Sequence, residues 1–159
     1  MNTIMFAAYF AAALGLASAH LCLIGPHQRG TMTGLNKKGS DDCILLKGPC
    51  GGRPSSTPLA ILMSGKNTTV TFQKNLDHWV KASPGYFAVA IMQESKQRIM
   101  DYKEIARVPD MGEPSLTLYS VTGMVPSRIS GTAVLQVTYV TNNPDAPPVF
   151  YQCADVAIN

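Results

Sequence analysis

Three histidines, His20, His27 and His78, are the residues of this chain best suited to hold a metal ion. His20 is the most informative because residues 1–19 resemble a secretory signal peptide, with a short apolar stretch followed by the small-x-small pattern Ala-Ser-Ala. Cleavage after that pattern makes His20 the first residue of the mature chain. Its α-amine, whose reference pKa is about 8, and its imidazole Nδ1 then offer a cation two ligands at once.

A second histidine would complete a nearly planar set of three nitrogens, which favours Cu(II) among first-row ions and is called a histidine brace. His78 lies in a turn-like segment before an apolar run, and histidines in such loops often face a site. A plain surface histidine explains the same pattern equally well. His27, seven residues after His20, is an alternative ligand. The residues alone therefore leave the second ligand open.

Asp155 is the acidic residue that the last apolar segment contains. An acid inside such a segment is costly unless it is paired or bound to a metal, so Asp155 is a candidate third ligand. The alternative is a buried aspartate that hydrogen-bonds to a turn or to an arginine such as Arg29 or Arg53. Composition alone favours that alternative.

The charge and the length of the chain exclude several classes of function. Residues 20–159 are enough for one domain with its own core, and the net charge of +3 is mild. No run of Lys or Arg exceeds two residues, so neither nucleic acid nor a polyanionic membrane is an expected partner. No second long apolar segment follows residue 19. We therefore expect a secreted, extracellular protein that is monomeric and does not span a membrane.

Short strand-like runs separated by turn residues predict an all-β fold. Such spacing is typical of an antiparallel β-sandwich. Glu94–Ile105 is polar and charged and is expected to form a loop or a short helix. The predicted strands are Pro58–Met63, Thr68–Gln73, Tyr86–Met92, Ser115–Val121, Gly131–Thr141 and Val149–Ile158.

The cysteines and one sequon also indicate secretion. Four cysteines in a secreted chain predict two disulfides, with three pairings open, and a four-thiolate zinc site is the competing use. No pair has the short C-x-x-C spacing, which disfavours zinc; the four are Cys22, Cys43, Cys50 and Cys153. Asn67-Thr68-Thr69 is an N-glycosylation sequon, so a sugar on Asn67 is expected.

Several motifs occur in an order that resembles a known family. They are His20 at the predicted N-terminus, Pro26-His27-Gln28-Arg29-Gly30, Gly48-Pro49-Cys50-Gly51-Gly52, His78-Trp79 and Tyr151-Gln152-Cys153-Ala154-Asp155. In this order they resemble the lytic-polysaccharide-monooxygenase-like copper proteins that include the fungal copper acquisition factor. The resemblance covers nearly all of residues 20–159.

The resemblance implies a fibronectin-like or immunoglobulin-like sandwich, stapled by Cys22–Cys43 and Cys50–Cys153. It also implies that copper is held by His20, His78 and Asp155. In that family the aspartate fills a coordination position that oxygen activation needs open. The implied function is copper capture or transfer rather than polysaccharide cleavage, with an extracellular or cell-surface copper transporter as a partner. His27 is then assigned to the loop that follows His20.

Phe150 departs from that pattern. The pair Phe150-Tyr151 also occurs in the last strand of true polysaccharide monooxygenases, where the Phe lies beside copper. Phe150 and Asp155 have opposite parity on an unbroken strand, so they should face opposite sides of the sheet. A copper-dependent lytic polysaccharide monooxygenase is therefore the alternative function. The single Trp and the few aromatics outside strand-like runs favour the copper-binding function, for which no catalytic residue is assigned.

Overall fold

Eight β-strands make up about half of residues 20–94 and 100–159, the part of the chain that the computed structural model describes. A short 3-10 turn, Asp41–Cys43, lies between the first two strands. The predicted signal peptide, residues 1–19, lies outside the described residues. The strands are β1 (His20–Gly25), β2 (Ala60–Leu62), β3 (Asn67–Leu76), β4 (Tyr86–Glu94), β5 (Met100–Pro109), β6 (Thr117–Met124), β7 (Gly131–Val140) and β8 (Val149–Ile158).

The strands form two sheets that pack against each other as a β-sandwich. One sheet has three strands in the order β1-β3-β6, and the other has five in the order β2-β8-β7-β4-β5. Neighbouring strands are antiparallel except for β2 and β8, which run parallel. The predicted disulfide-stapled antiparallel sandwich is confirmed, and the three-residue strand β2 is its exception.

Alternation along β3 shows how the sequence defines the core. Val70 and Phe72 point inward and are buried, whereas Thr69 and Thr71 point outward and are paired with the hydroxyls of Thr122 and Ser120 on β6. The inward side chains of both sheets meet in one apolar cluster, whose largest members are the aromatic residues Tyr139, Phe72, Phe87 and Phe150.

The sequence pattern missed β1 and β5. The expected loop or helix at Glu94–Ile105 is wrong from Met100 onward, where strand β5 runs antiparallel to β4 at the edge of the sheet. An edge strand keeps one face in solvent, so charged residues such as Glu104 and Arg107 are tolerated there. These charged residues interrupt the hydrophobic alternation by which a strand is predicted from sequence.

Two disulfides tie the long loop after β1 to the sheets. Cys22 on β1 is bonded to Cys43, and Cys50 in the loop is bonded to Cys153 on β8, as predicted. The loop also hydrogen-bonds to β8, where Tyr151 N donates to the Leu45 carbonyl at 2.9 Å. The loop therefore covers part of the free edge of β8, and the disulfide buries Cys153 on its outer face.

Within the described residues there is no helix with the length and apolar character needed to cross a membrane.

The separation of the bonded cysteines predicts which disulfide matters more for stability. Cys50–Cys153 spans 103 residues and Cys22–Cys43 spans 21. On the chain-entropy model these separations correspond to about 5 and about 3 kcal/mol of the free energy of unfolding. Replacing Cys50 and Cys153 together by Ala should therefore lower the urea midpoint more than replacing the other pair. Equal losses would contradict the loop-length argument.

Candidate metal centre

His20 and His78 lie at the same end of the three-stranded sheet. His20 is the first residue of β1, and its Cα pairs with that of Leu76, the last residue of β3. His78 follows Leu76 by two residues, a span of at most about 7 Å. Both side chains are buried, with 4% and 6% of the residue surface exposed. The β1–β3 pairing thus places two of the three candidate histidines at the same end of one sheet.

The His20 side chain is covered by a turn of the loop. A Cβ added to Gly39 would lie 3.9 Å from His20 Cε1, and Gly39 has a φ of 77°, a conformation that side-chain-bearing residues rarely adopt. Asn75 on β3 holds this turn in place, because its Oδ1 accepts hydrogen bonds from the backbone N–H groups of Gly39 and Ser40 at 2.9 and 3.0 Å. The turn therefore passes within van der Waals reach of the imidazole, and the backbone conformation at Gly39 favours glycine.

The backbone around His78 is fixed on both sides. The Asp77 carboxylate accepts a hydrogen bond from Trp79 N at 2.9 Å and forms an ion pair with Lys74 Nζ at 2.8 Å. On the other side, Asn143 Nδ2 donates to the His78 carbonyl at 3.0 Å. The turn that carries His78 is thus held by β3 and by the loop between β7 and β8.

Phe150 lies beside His78. Their ring centroids are 6.4 Å apart and the ring planes differ by 18°. Phe150 is fully buried and pairs with Tyr139 across the β7–β8 ladder. Phe150, named as an alternative neighbour of the metal, is therefore a residue of β8 that lies against a candidate histidine ligand.

A buried polar network beneath His78 was not predicted from the sequence. Lys74 and Asp110 are both fully buried and pair at 2.7 Å, and Tyr139 Oη donates to Asp110 Oδ2 at 2.5 Å. Burial and the bond to Asp110 raise the pKa of Tyr139. The signal was present in β3, where Lys74 has the same parity as the core residues Val70 and Phe72 and so required a buried partner.

Asp155 lies elsewhere. It is five residues from Phe150 on a strand with no irregularity in its β7 pairing, a separation of about 17 Å. Its carboxylate accepts Arg29 Nε and Nη2 at 2.8 and 2.6 Å, and also Ser56 N and Oγ at 2.8 and 2.9 Å. The structure thus does not bring Asp155 to the histidines, and it shows the arginine-paired alternative that composition favoured.

His27 is not close to His20 either. It is exposed and follows the far end of β1, whose five steps from His20 to Gly25 cover about 17 Å. Its Nδ1 lies 2.9 Å from the Gln28 carbonyl oxygen. The structure therefore separates His27 from the other two histidines.

The described residues, 20–94 and 100–159, contain no group of three or more His, Cys, Asp or Glu side chains arranged to hold a metal ion. Two imidazoles alone make an incomplete site. The donor set fits a metal when the α-amine of His20, which the predicted cleavage would free, supplies a third nitrogen from the same residue. The arrangement is then an all-nitrogen site with an aromatic ring beside it.

Comparison with known proteins identifies the fold. The cellulose-active lytic polysaccharide monooxygenase (LPMO) CelS2, solved with copper, matches at a TM-score of 0.52 and 19% identity over 87% of this chain and 98% of its own. A chitin-binding domain from Burkholderia pseudomallei matches at 0.56 and 12% identity over 89% and 100%. The catalytic domain of an LPMO from Listeria monocytogenes matches at 0.51 and 15% identity over 88% and 99%. No protein-family model and no curated protein matches the sequence. The chain therefore has the LPMO-like β-sandwich fold.

The environment of Asp155 predicts an acid-sensitive contribution to stability. Burial by itself raises the pKa of Asp155, but hydrogen bonds from Arg29 and Ser56 outweigh it and lower the pKa below 3.8. The ionised pair therefore stabilises the fold fully above about pH 4, and this contribution is lost as the pH falls through the lowered pKa. Asp155→Asn leaves Arg29 buried without its charge partner. The substitution should therefore lower the free energy of unfolding by about 3 kcal/mol at neutral pH.

Urea unfolding at neutral pH and at successively lower pH measures this effect. The difference in free energy of unfolding between the parent and Asp155→Asn should become smaller in acid. Asp42→Asn is the matched control, because Asp42 pairs with Arg53 near the surface. This variant should lose about 1 kcal/mol or less of its free energy of unfolding. A difference for Asp155→Asn that persists unchanged into strong acid would contradict the assignment.

Proposed function

We propose that this chain is a secreted copper-binding protein whose metal is held in a histidine brace. The ligands are the α-amine and Nδ1 of His20 and a ring nitrogen of His78. The observation that supports this most is the register of β1 on β3, which sets His20 opposite Leu76 and so near His78.

The donor set favours copper over zinc. Nitrogen ligands in a nearly planar set suit Cu(II), whereas structural zinc is bound mostly through thiolates. All four cysteines are bonded in disulfides, so the described residues offer no thiolate. CelS2, which shares the fold, was solved in complex with copper.

Secretion is part of the same proposal, because the brace requires cleavage before His20. Two disulfides suit an oxidising compartment. Asn67 is exposed at the start of β3, where a sugar would meet solvent. We propose a glycosylated extracellular monomer that spans no membrane and passes copper to an extracellular or cell-surface copper transporter.

The proposed use of the metal is capture or transfer. A protein that cleaves crystalline chitin or cellulose needs a flat face with exposed aromatic rings to grip the polymer. Among the described aromatic side chains, Tyr102 on the edge strand β5 is the one that is more than half exposed, at 52%. Trp79 is partly buried against Gly112. The surface therefore offers little for a polysaccharide to stack on.

A second candidate function is oxidative, and Phe150 favours it. An apolar ring beside His78 offers no ligand that would compete with oxygen, which is the arrangement expected of a copper monooxygenase. Asp155, the carboxylate that was expected to block oxygen chemistry, forms an ion pair with Arg29. Copper would supply one-electron redox chemistry, and the protein would hold it between two fixed imidazoles.

His78→Ala should abolish tight Cu(II) binding while leaving the thermal unfolding midpoint near that of the parent, because the imidazole supplies one of three nitrogens. Isothermal titration with copper, together with the nitrogen hyperfine pattern in the electron paramagnetic resonance (EPR) spectrum, measures this. His27→Ala is the matched control and should bind like the parent. The reverse result would make His27 the second ligand. A form with one extra residue before His20 should also bind far more weakly, because the amine is then an amide.

Incubation of the copper-loaded protein with ascorbate, peroxide and either chitin or cellulose separates the two uses of copper. We expect no oxidised oligosaccharides by mass spectrometry, while CelS2 assayed on cellulose in parallel serves as the positive control. Release of oxidised products by the parent and not by His78→Ala would establish the oxidative function instead. The EPR spectrum of Asp155→Asn should match that of the parent in either case.

A further inference from the structure

An exposed segment with three successive hydroxyl side chains leads from the long loop into β2. It reads Pro54-Ser55-Ser56-Thr57-Pro58, and its first four residues are exposed. The segment forms neither helix nor strand, and Thr57, which precedes a proline, is biased toward extended backbone. Chain rich in serine and threonine and interrupted by proline is typical of segments that carry O-linked sugars in secreted proteins. The composition therefore indicates a site of sugar attachment.

Hydrogen bonds fix this segment at its middle and at both ends. Before it, the Arg53 carbonyl accepts a hydrogen bond from Arg29 Nη1 at 3.1 Å. After it, Leu59 N donates to the Asp155 carbonyl at 3.3 Å. In the middle, Ser56 N and Oγ both donate to the Asp155 carboxylate, at 2.8 and 2.9 Å. The Ser56 hydroxyl is thus engaged by the fold, although its residue lies at the surface.

The hydroxyls of Ser55 and Thr57 are in a different situation. Both residues are exposed, and no group in the described part of the chain forms a hydrogen bond with either hydroxyl. Because they flank the anchored Ser56, the fold holds them at the surface in an extended stretch that an enzyme can reach. A sugar on Ser56 would instead remove the hydrogen that its hydroxyl donates to Asp155. Ser55 and Thr57 are therefore the two positions that suit modification.

A groove beside these two residues has room for a sugar. It has a volume of about 840 Å³, and Ser55 and Thr57 line it together with Met92, Thr132 and Val134 from the five-stranded sheet. This volume is in the range of pockets that bind small molecules. A sugar ring has hydroxyls around its edge and apolar C–H groups on its faces, and the groove offers both hydroxyl and aliphatic side chains. A sugar linked to its rim can therefore pack against the sheet.

We propose that Ser55 and Thr57 carry short O-linked glycans whose first sugar packs in this groove. The inference rests on the secretion included in the proposed function and is independent of copper. Arg29 and Asp155 line the same groove, so the sugar would exclude water from the ion pair that holds the segment.

The transfer of the sugar balances without any change of oxidation state. The co-reactant is a sugar activated as a phosphate ester of a carrier. The side-chain oxygen of Ser55 or Thr57 bonds to the anomeric carbon, and the bond between that carbon and the phosphate oxygen breaks. The carrier phosphate leaves with the electron pair of that bond, and the hydroxyl proton passes to a base of the transferring enzyme.

Secretion of the full chain from cultured animal cells, which attach such sugars to proteins that have already folded, tests the proposal. N-linked sugar is first removed enzymatically, and electron-transfer fragmentation in the mass spectrometer then locates the sugar that remains. We expect it on Ser55 and Thr57 and not on Ser56. Combining Ser55→Ala with Thr57→Ala should remove it entirely. Ser127→Ala, at another exposed serine that neighbours a proline, is the matched control and should leave it unchanged.

Secreted protein that lacks these sugars, that carries one on Ser56, or that carries phosphate in their place would overturn the proposal. Packing in the groove is tested by enzymatic removal of the O-linked sugar. The thermal unfolding midpoint of the parent should then fall by a few degrees, because the groove and its ion pair become open to water. The doubly substituted protein, which has no such sugar to lose, should not respond. An unchanged midpoint in the parent would overturn the placement of the sugar in the groove.

Failure of this inference can be told apart from failure of the proposed function. Protein that is secreted and cleaved before His20 but carries no O-linked sugar would refute the inference alone. Cleavage at another position would refute the brace, and the position of the sugar would still decide the inference. Retention of the chain inside the cell would overturn both.

Discussion

The pairing of β1 with β3 is the interaction on which the candidate site depends. It sets the first residue of β1 against the last residue of β3, so one histidine lies in a sheet and the other in the turn that leaves that sheet. The bond from Cys22 to Cys43 ties β1 to the loop, and Asn75 ties the same loop to β3. His20 is thus held from both sides by elements whose own positions are fixed by the core.

Two buried ion pairs perform different tasks in this small sandwich. Arg29 and Asp155 connect the segment after β1 to the outer face of β8, and Ser56 adds the following loop to the same carboxylate. Lys74 and Asp110 lie inside the sandwich and meet a tyrosine there. The first pair fastens a loop over a strand, whereas the second places polar chemistry among apolar rings. Each carboxylate is fully engaged, which is how a core of this size accepts buried charge.

Much of the fold was predictable because the strands carry period-two patterns or apolar runs bounded by turn residues. The six strands from β2 to β4 and from β6 to β8 overlap the predicted segments. Strand β5 was missed because an edge strand carries charge, and β1 was missed because six residues beside a predicted cleavage site carry too little pattern. His20 and His78 were predictable as candidates, but their proximity follows from strand register, which no local pattern encodes. The role of Asp155 could not be chosen from the sequence, because a buried aspartate looks the same there whether its partner is a cation on a side chain or a metal ion.

The position of His20 at the very start of β1 has a consequence for timing. A backbone nitrogen that is still part of a peptide bond is not a basic ligand, so the proposed third donor appears when that bond is cut. The remaining residues of β1, its ladder with β3 and its disulfide do not depend on that nitrogen. Folding of the sandwich and maturation of its metal affinity are therefore separable events. A form of the chain that keeps any residue before His20 would have the finished scaffold without the proposed third nitrogen.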